Sequence, residues 1–246
     1  MNGDGEGARY GEAWVYESIV GALPGIRVSS RLAVAIQLGV FEAGMVLAAW
    51  YYDIWTAVPA GTAAVVVAAV GSVEMLRISD LVRRVPTPSS YRRLLFGSSI
   101  EVVLAVLAFL ALVTHLFVSG PRQGGALLEA LFGPEPPVPV VYLTLLVLWD
   151  VCYRIGTAWW ASVAALWRSL RFRFDPETAR VLRRSDLEVI AFSTVQLLLL
   201  PFVLDDPVVA TVIVGHVGAV WAVTGTSVLV LTARLRDVPG ATASEA

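Results

Sequence analysis

Asp150 and Arg154 stand four residues apart inside LLVLWDVCYRIGTAWW, a run otherwise almost wholly apolar. On a helix that spacing puts both side chains on one face, where a carboxylate and a guanidinium can pair. An ionisable group at the middle of a bilayer costs at least ~2.5 kcal/mol on insertion scales, so such residues are paired, turned inward or functional. Counting ~1.5 Å per residue from the basic ends of the apolar runs, Glu42 and Asp150 fall near mid-depth and Arg154 one turn nearer the basic side. Glu42 is the candidate second carboxylate for Arg154. Gln37, Gln196 and His216 add polar groups at comparable depth, while Glu101 and Glu74 lie closer to the basic end.

Two kinds of chemistry fit this set. One is a structural network, in which hydrogen bonds and a charge pair fix the register of neighbouring helices. The other is a proton or ion path in which Glu42 or Asp150 changes protonation with His216 as relay. His115 and His216 are the only histidines. Their different depths, His115 at the outer interface and His216 within the span, argue against a shared haem iron, and no cofactor is expected. The sequence lacks H-E-x-x-H, G-x-S-x-G and a Walker loop. It also lacks the spaced aspartates of lipid-headgroup phosphotransferases and the Gly-Asp motif of intramembrane aspartyl proteases, so an enzyme is not expected. Every basic residue is Arg, which excludes a lysine Schiff base and hence a rhodopsin.

These residues must be positioned by elements suited to an apolar solvent. Residues A, V, I, L, M, F, W, Y and C make up 57% of the 246 positions and charged residues 15%, against ~25% charged in a soluble domain. The net charge of -2, with arginines in short blocks beside apolar runs, argues against nucleic acid as a partner. Cys152 is the single cysteine and has no intrachain disulfide partner, so its expected role is inert packing. The N-terminal stretch shows no basic leader, apolar core or cleavage site, so no cleaved signal peptide is expected.

A membrane-crossing helix needs ~20 mainly apolar residues, and six windows qualify: 32-51, 55-76, 95-118, 139-167, 187-204 and 208-231. The expected fold is therefore all-α, an integral membrane bundle of about six transmembrane helices. Asp175-Pro176, Asp206-Pro207 and Thr87-Pro88 each read as an N-cap followed by a first-turn proline. Ser185 and Glu188 have the spacing of a capping box before the fifth window. The fourth window exceeds one crossing, so its helix tilts or runs on through WASVAALWRSLRF, with Trp159, Trp160 and Trp167 at the inner interface.

Sixteen of the eighteen arginines fall in the N-terminal segment, the second-to-third connection, the fourth-to-fifth connection and the C-terminal tail. The positive-inside tendency then predicts both termini in the cytoplasm. Residues 1-31 are expected to form a cytoplasmic segment with an interfacial helix over Tyr10 to Gly25, placing Trp14, Ile19 and Val20 among headgroups. Residues 32-232 form the transmembrane domain and 233-246 a cytoplasmic tail. On the opposite side, GALLEALF is expected as a two-turn interfacial helix. The two basic hairpins resemble each other in the same orientation, a likeness that an internal repeat and the bare positive-inside pattern both generate. Gly39 with Ala43, Gly215 with Ala219 and Gly218 with Ala222 are small pairs suited to close helix contact, within the chain or in a dimer.

The stretches RYGEAWVYESIVGALPG and LWDVCYRIGTAWWASVAALWRSLRFRFDPETAR, with the lysine-free composition, resemble uncharacterised polytopic membrane proteins of halophilic archaea. The resemblance implies a multi-pass protein of the plasma membrane and no known activity. Two functions are consistent with the residues: a small transporter- or channel-like component using the charged cluster, and a non-catalytic scaffold or complex subunit. The expected partners are membrane lipids, with a homo-oligomer or a membrane partner as further candidates.

Overall fold

The computed structural model describes Trp14 and residues 30–122 and 127–236. Among them the secondary structure is entirely helical. Helix α1 covers Ser30–Tyr52 and leads through a 3-10 turn, Trp55–Ala57, into α2, Val58–Arg83. A short α3, Ser89–Phe96, precedes α4, Ile100–Thr114, which continues through a π-helical segment, His115–Ser119. Then come α5, Leu127–Phe132, α6, Val138–Arg171, α7, Pro176–Val195, with a 3-10 continuation Gln196–Phe202, and α8, Pro207–Arg236. Six stretches are long and apolar enough to cross a membrane: Leu32–Tyr52, Trp55–Arg83, Ser89–Ser119, Val138–Arg171, Pro176–Phe202 and Pro207–Arg236.

These agree with the six expected windows, and local chemistry explains most of their ends. Asp175 Oδ1 accepts from the amides of Glu177 (3.0 Å) and Thr178 (2.9 Å), and Asp206 Oδ1 from that of Val209 (3.1 Å), so two of the three aspartate or threonine caps form as read. The third does not: Pro88 takes the cap position and α3 begins at Ser89, leaving the Thr87 hydroxyl buried without a partner. Nor do Ser185 and Glu188 start a helix. Asp175 and Pro176 start α7 some ten residues earlier, so both lie mid-helix. The third window breaks at Gly97 to Ser99, where Ser99 adopts φ 55, a left-handed turn that separates the amphipathic α3 from the apolar α4. At Pro201 the missing N–H is absorbed in the 3-10 stretch.

The outside of the bundle is its apolar side. Leu47, Trp50, Leu107, Val212 and Leu229 are all more than half exposed, whereas Arg154, Arg168, Ser162, Ser193 and Ser227 are buried. That inversion suits a hydrocarbon solvent, because a lone polar group is costly where no water can reach it. Contacts between helix ends define two poles. At the arginine-rich pole, Arg77 of α2 meets Glu188 of α7 (3.3 Å) and Arg168 of α6 meets Tyr91 of α3 (2.5 Å). There Arg234 of α8 donates to the carbonyls of Ser169, Leu170 and Phe172, satisfying the last turn of α6. At the other pole, His115 meets Asp206 (2.8 Å), and Thr56 donates to the Leu131 carbonyl of α5 (3.2 Å).

Two glycines let helices approach closely. A Cβ at Gly156 of α6 would lie 2.8 Å from Ala105 N and 2.9 Å from Glu101 O of α4, and one at Gly71 of α2 would lie 2.7 Å from the Phe192 ring. The small pairs picked from sequence do not serve this purpose within the chain: Gly39, Gly215 and Gly218 have nothing within 4 Å of a built Cβ. Of the expected N-terminal interfacial helix only Trp14 is among the described residues. It is fully buried, edge-on to Phe96 at 5.0 Å, and not at a headgroup surface.

Candidate functional site

The helix α6 carries Asp150 and Arg154 side by side, and the pair forms as its spacing requires: Arg154 Nη2 to Asp150 Oδ1 is 3.0 Å. Gln37 of α1 donates to the other carboxylate oxygen at 2.7 Å, and Arg154 Nη1 lies 3.1 Å from the Met75 sulfur of α2. Three helices are thus tied together around a guanidinium that is 0% exposed. Gly71 makes room for it, since a Cβ there would meet Arg154 Cγ at 2.9 Å. The space beside Gln37 and Asp150 is about 10 Å³ and is otherwise lined by apolar side chains, room for roughly one water.

The other candidates do not converge on this pair. Glu42 accepts a hydrogen bond from Thr62 Oγ1 at 2.8 Å and makes no salt bridge with Arg154; its second oxygen is buried without a partner. Its side chain turns instead toward Thr62 of α2. Glu101, in the first turn of α4, is 0% exposed, and neither carboxylate oxygen has a hydrogen-bond partner. Glu74 pairs with Arg77 at the arginine-rich pole (3.1 Å). Gln196 and His216 face a separate space on another side of α6.

That space is a chamber of about 500 Å³. Its walls come from α1, α2, α4, α6, the 3-10 stretch after α7, and α8, with Leu128, Leu131 and Phe132 of α5 lining it toward the arginine-poor pole. Small residues on facing helices, Ala48, Ala64 and Ala108 among them, leave the volume open. The lining is almost wholly aliphatic and aromatic, with no Asp, Glu or Arg among the described residues. Its few polar groups are His115, Thr144, Cys152, Gln196 and His216. His115 is engaged by Asp206, and Thr144 by the Val140 carbonyl (2.8 Å). Gln196 Nε2 and His216 Nε2 are buried without hydrogen-bond partners. The His216 ring lies 6.2 Å from that of Trp159.

A second buried charge centre escaped the sequence reading. Arg168 and Asp186 pair at 2.6 Å, both 1% exposed, with Arg168 also donating to Tyr91 Oη and to the Leu182 carbonyl (3.0 Å). Ser227 of α8 donates to the second Asp186 oxygen at 2.8 Å. The signal was there: Ala179, Leu182, Asp186 and Val189 are all buried and recur at three- and four-residue spacing. A carboxylate on such a stripe demands a cation opposite.

The described residues define an all-helical bundle with six helices long and apolar enough to cross a membrane, and with an apolar chamber beside a buried ion pair. The chain belongs to a family of unknown function, DUF7530, whose model matches residues 9–227. No curated protein and no solved structure matches it.

Proposed function

We propose that the protein is a small transporter-like component of the plasma membrane that takes an apolar molecule from the lipid phase into its chamber, with both termini in the cytoplasm. The single observation that carries this is the chamber itself. Its volume of about 500 Å³ falls in the range of ligand pockets, ~300–1,000 Å³. The chamber is partly open to its surroundings, so a molecule dissolved in the hydrocarbon can reach its apolar lining. The Asp150–Arg154 pair has a structural part in this reading: it holds α1, α2 and α6 in register beside the chamber, and its surroundings are too small and too apolar for a wet ion path.

The test is to purify the chain in native lipid discs and identify by mass spectrometry any molecule retained above the bulk lipid. The variant Ala108→Phe, which pushes a ring into the chamber, is run in parallel. An apolar compound enriched in the wild type and depleted in the variant is the expected result. Equal, bulk-like lipid content in both removes the proposal.

A second reading is a scaffold whose basic pole binds anionic headgroups or a cytoplasmic partner. It is favoured by the exposure of Arg93, Arg171, Arg173 and Arg180 at that pole. Recovery of a stoichiometric partner from native membranes supports it, and repeated recovery of the bare chain counts against it.

A further inference from the structure

We infer that the chamber selects a neutral lipid bearing a carbonyl oxygen, received by Gln196 and His216; this rests on the chamber being a ligand site. Gln196 is 1% exposed and lines the chamber where α7 tightens into its 3-10 continuation, yet its Nε2 has no partner. A carboxamide NH2 is a donor only, and a buried donor left unpaired is costly in a dry interior. His216, on the adjoining α8, lines the same space with a buried and equally unpartnered Nε2. Two helices thus bring two unanswered polar atoms to one apolar chamber; an acceptor oxygen on the occupant answers the Gln196 amide, and the His216 ring with it when the imidazole proton sits on Nε2.

The rest of the lining fixes what else that occupant carries. Among the described residues no Asp, Glu or Arg lines the chamber, so a phosphate or an ammonium headgroup would enter without a counter-charge from them. His115, the other titratable ring in the lining, is already held by Asp206. The polar end is therefore uncharged. From Gln196 and His216 the lining continues over aliphatic side chains to Leu128 and Phe132 of α5, which leaves an apolar path for a chain or rings. Two natural sources supply a carbonyl on such a body: the ring of an isoprenoid quinone and the ester of a glyceride.

The experiment compares three probes of similar size on the full chain in saturated phosphatidylcholine discs: decylbenzene, a decyl-substituted benzoquinone and methyl dodecanoate. Binding is read by thermal shift and equilibrium titration. The two carbonyl probes are expected to bind roughly tenfold more tightly than decylbenzene, a gain that one hydrogen bond to a buried donor supports. Gln196→Leu should abolish that preference while decylbenzene binds as before, which also reports that the variant is folded. His216→Leu, on a different helix, repeats the comparison and carries it if Gln196→Leu does not fold. Tighter binding of the quinone than the ester assigns the first source, and the reverse assigns the second. Equal binding of all three probes to the wild type, or a carbonyl preference that survives both substitutions, overturns the inference. Failure of every probe to bind, with Ala108→Phe indistinguishable from wild type, instead overturns the chamber as a ligand site.

Discussion

Arg168 and Asp186 face each other across 2.6 Å with side chains 1% exposed, so the α6 and α7 helices are joined by a charge pair that water does not reach. Asp186→Ala leaves the guanidinium buried with Tyr91 and a carbonyl but no counter-charge. Removing one partner of such a pair costs ~3–5 kcal/mol, whereas replacing both by apolar residues of similar volume is close to neutral. The double substitution Arg168→Met, Asp186→Leu should therefore be more stable than Asp186→Ala alone. Unfolding by sodium dodecyl sulfate, titrated from mild detergent, orders the three proteins. A double variant less stable than the single one contradicts the account.

The same pair marks the limit of what sequence supplied. The six long apolar helices are legible in the sequence because each fills an apolar run of ~20 residues or more, and the Asp175 and Asp206 caps because a cap is local. Asp150 with Arg154 was legible because four residues is one helical turn and both partners share a helix. Arg168 was read as a topology signal beside Arg171 and Arg173, although it points inward to Asp186. Glu42 failed for a related reason: counting residues gives depth, but the direction around the helix axis depends on how neighbours pack. The chamber is invisible in sequence because it is a property of facing alanines on several helices.

Glycine substitutions should separate by what stands opposite. At Gly156 the added Cβ would meet backbone atoms of Ala105 and Glu101 at 2.8 and 2.9 Å, which no rotamer change relieves. Gly156→Ala is expected to cost ~1–3 kcal/mol or more through separation of α4 and α6. Gly215→Ala, with nothing within 4 Å, should stay within ~0.5 kcal/mol of wild type. Parallel detergent-unfolding curves check both. Equal effects at the two positions would remove the close approach of α4 to α6.

Acid should loosen the arginine-poor pole first. Burial works against the charge on Asp206, but the Val209 amide and His115 hold its carboxyl below the ordinary carboxylate range. With the folded value below the unfolded one, ~3.9, the carboxylate's contribution is fully present above that pH and is lost as pH falls through the folded value. Asp206→Asn keeps a capping oxygen but not the charge. The stability difference between wild type and Asp206→Asn is thus expected to shrink as pH falls below about 4. A difference that grows below about 4 gives the opposite sign and rejects the assignment.

The Asp150–Arg154 pair yields a prediction about transport. If Asp150 took up and released protons during a cycle, it would need a water route, yet Gln37 and Arg154 occupy its two oxygens and the adjoining space is about 10 Å³. Glu42, held by Thr62, has no link to it through Arg154's ion pair. Asp150→Asn and Glu42→Gln reconstituted in liposomes should therefore leave proton permeability equal to that of the wild-type protein. The first should still lower stability, because the buried Arg154 loses the charge of Asp150. Reduced proton flux at unchanged stability in either variant would return the pair to a coupling role and reopen the wet path that its packing argues against.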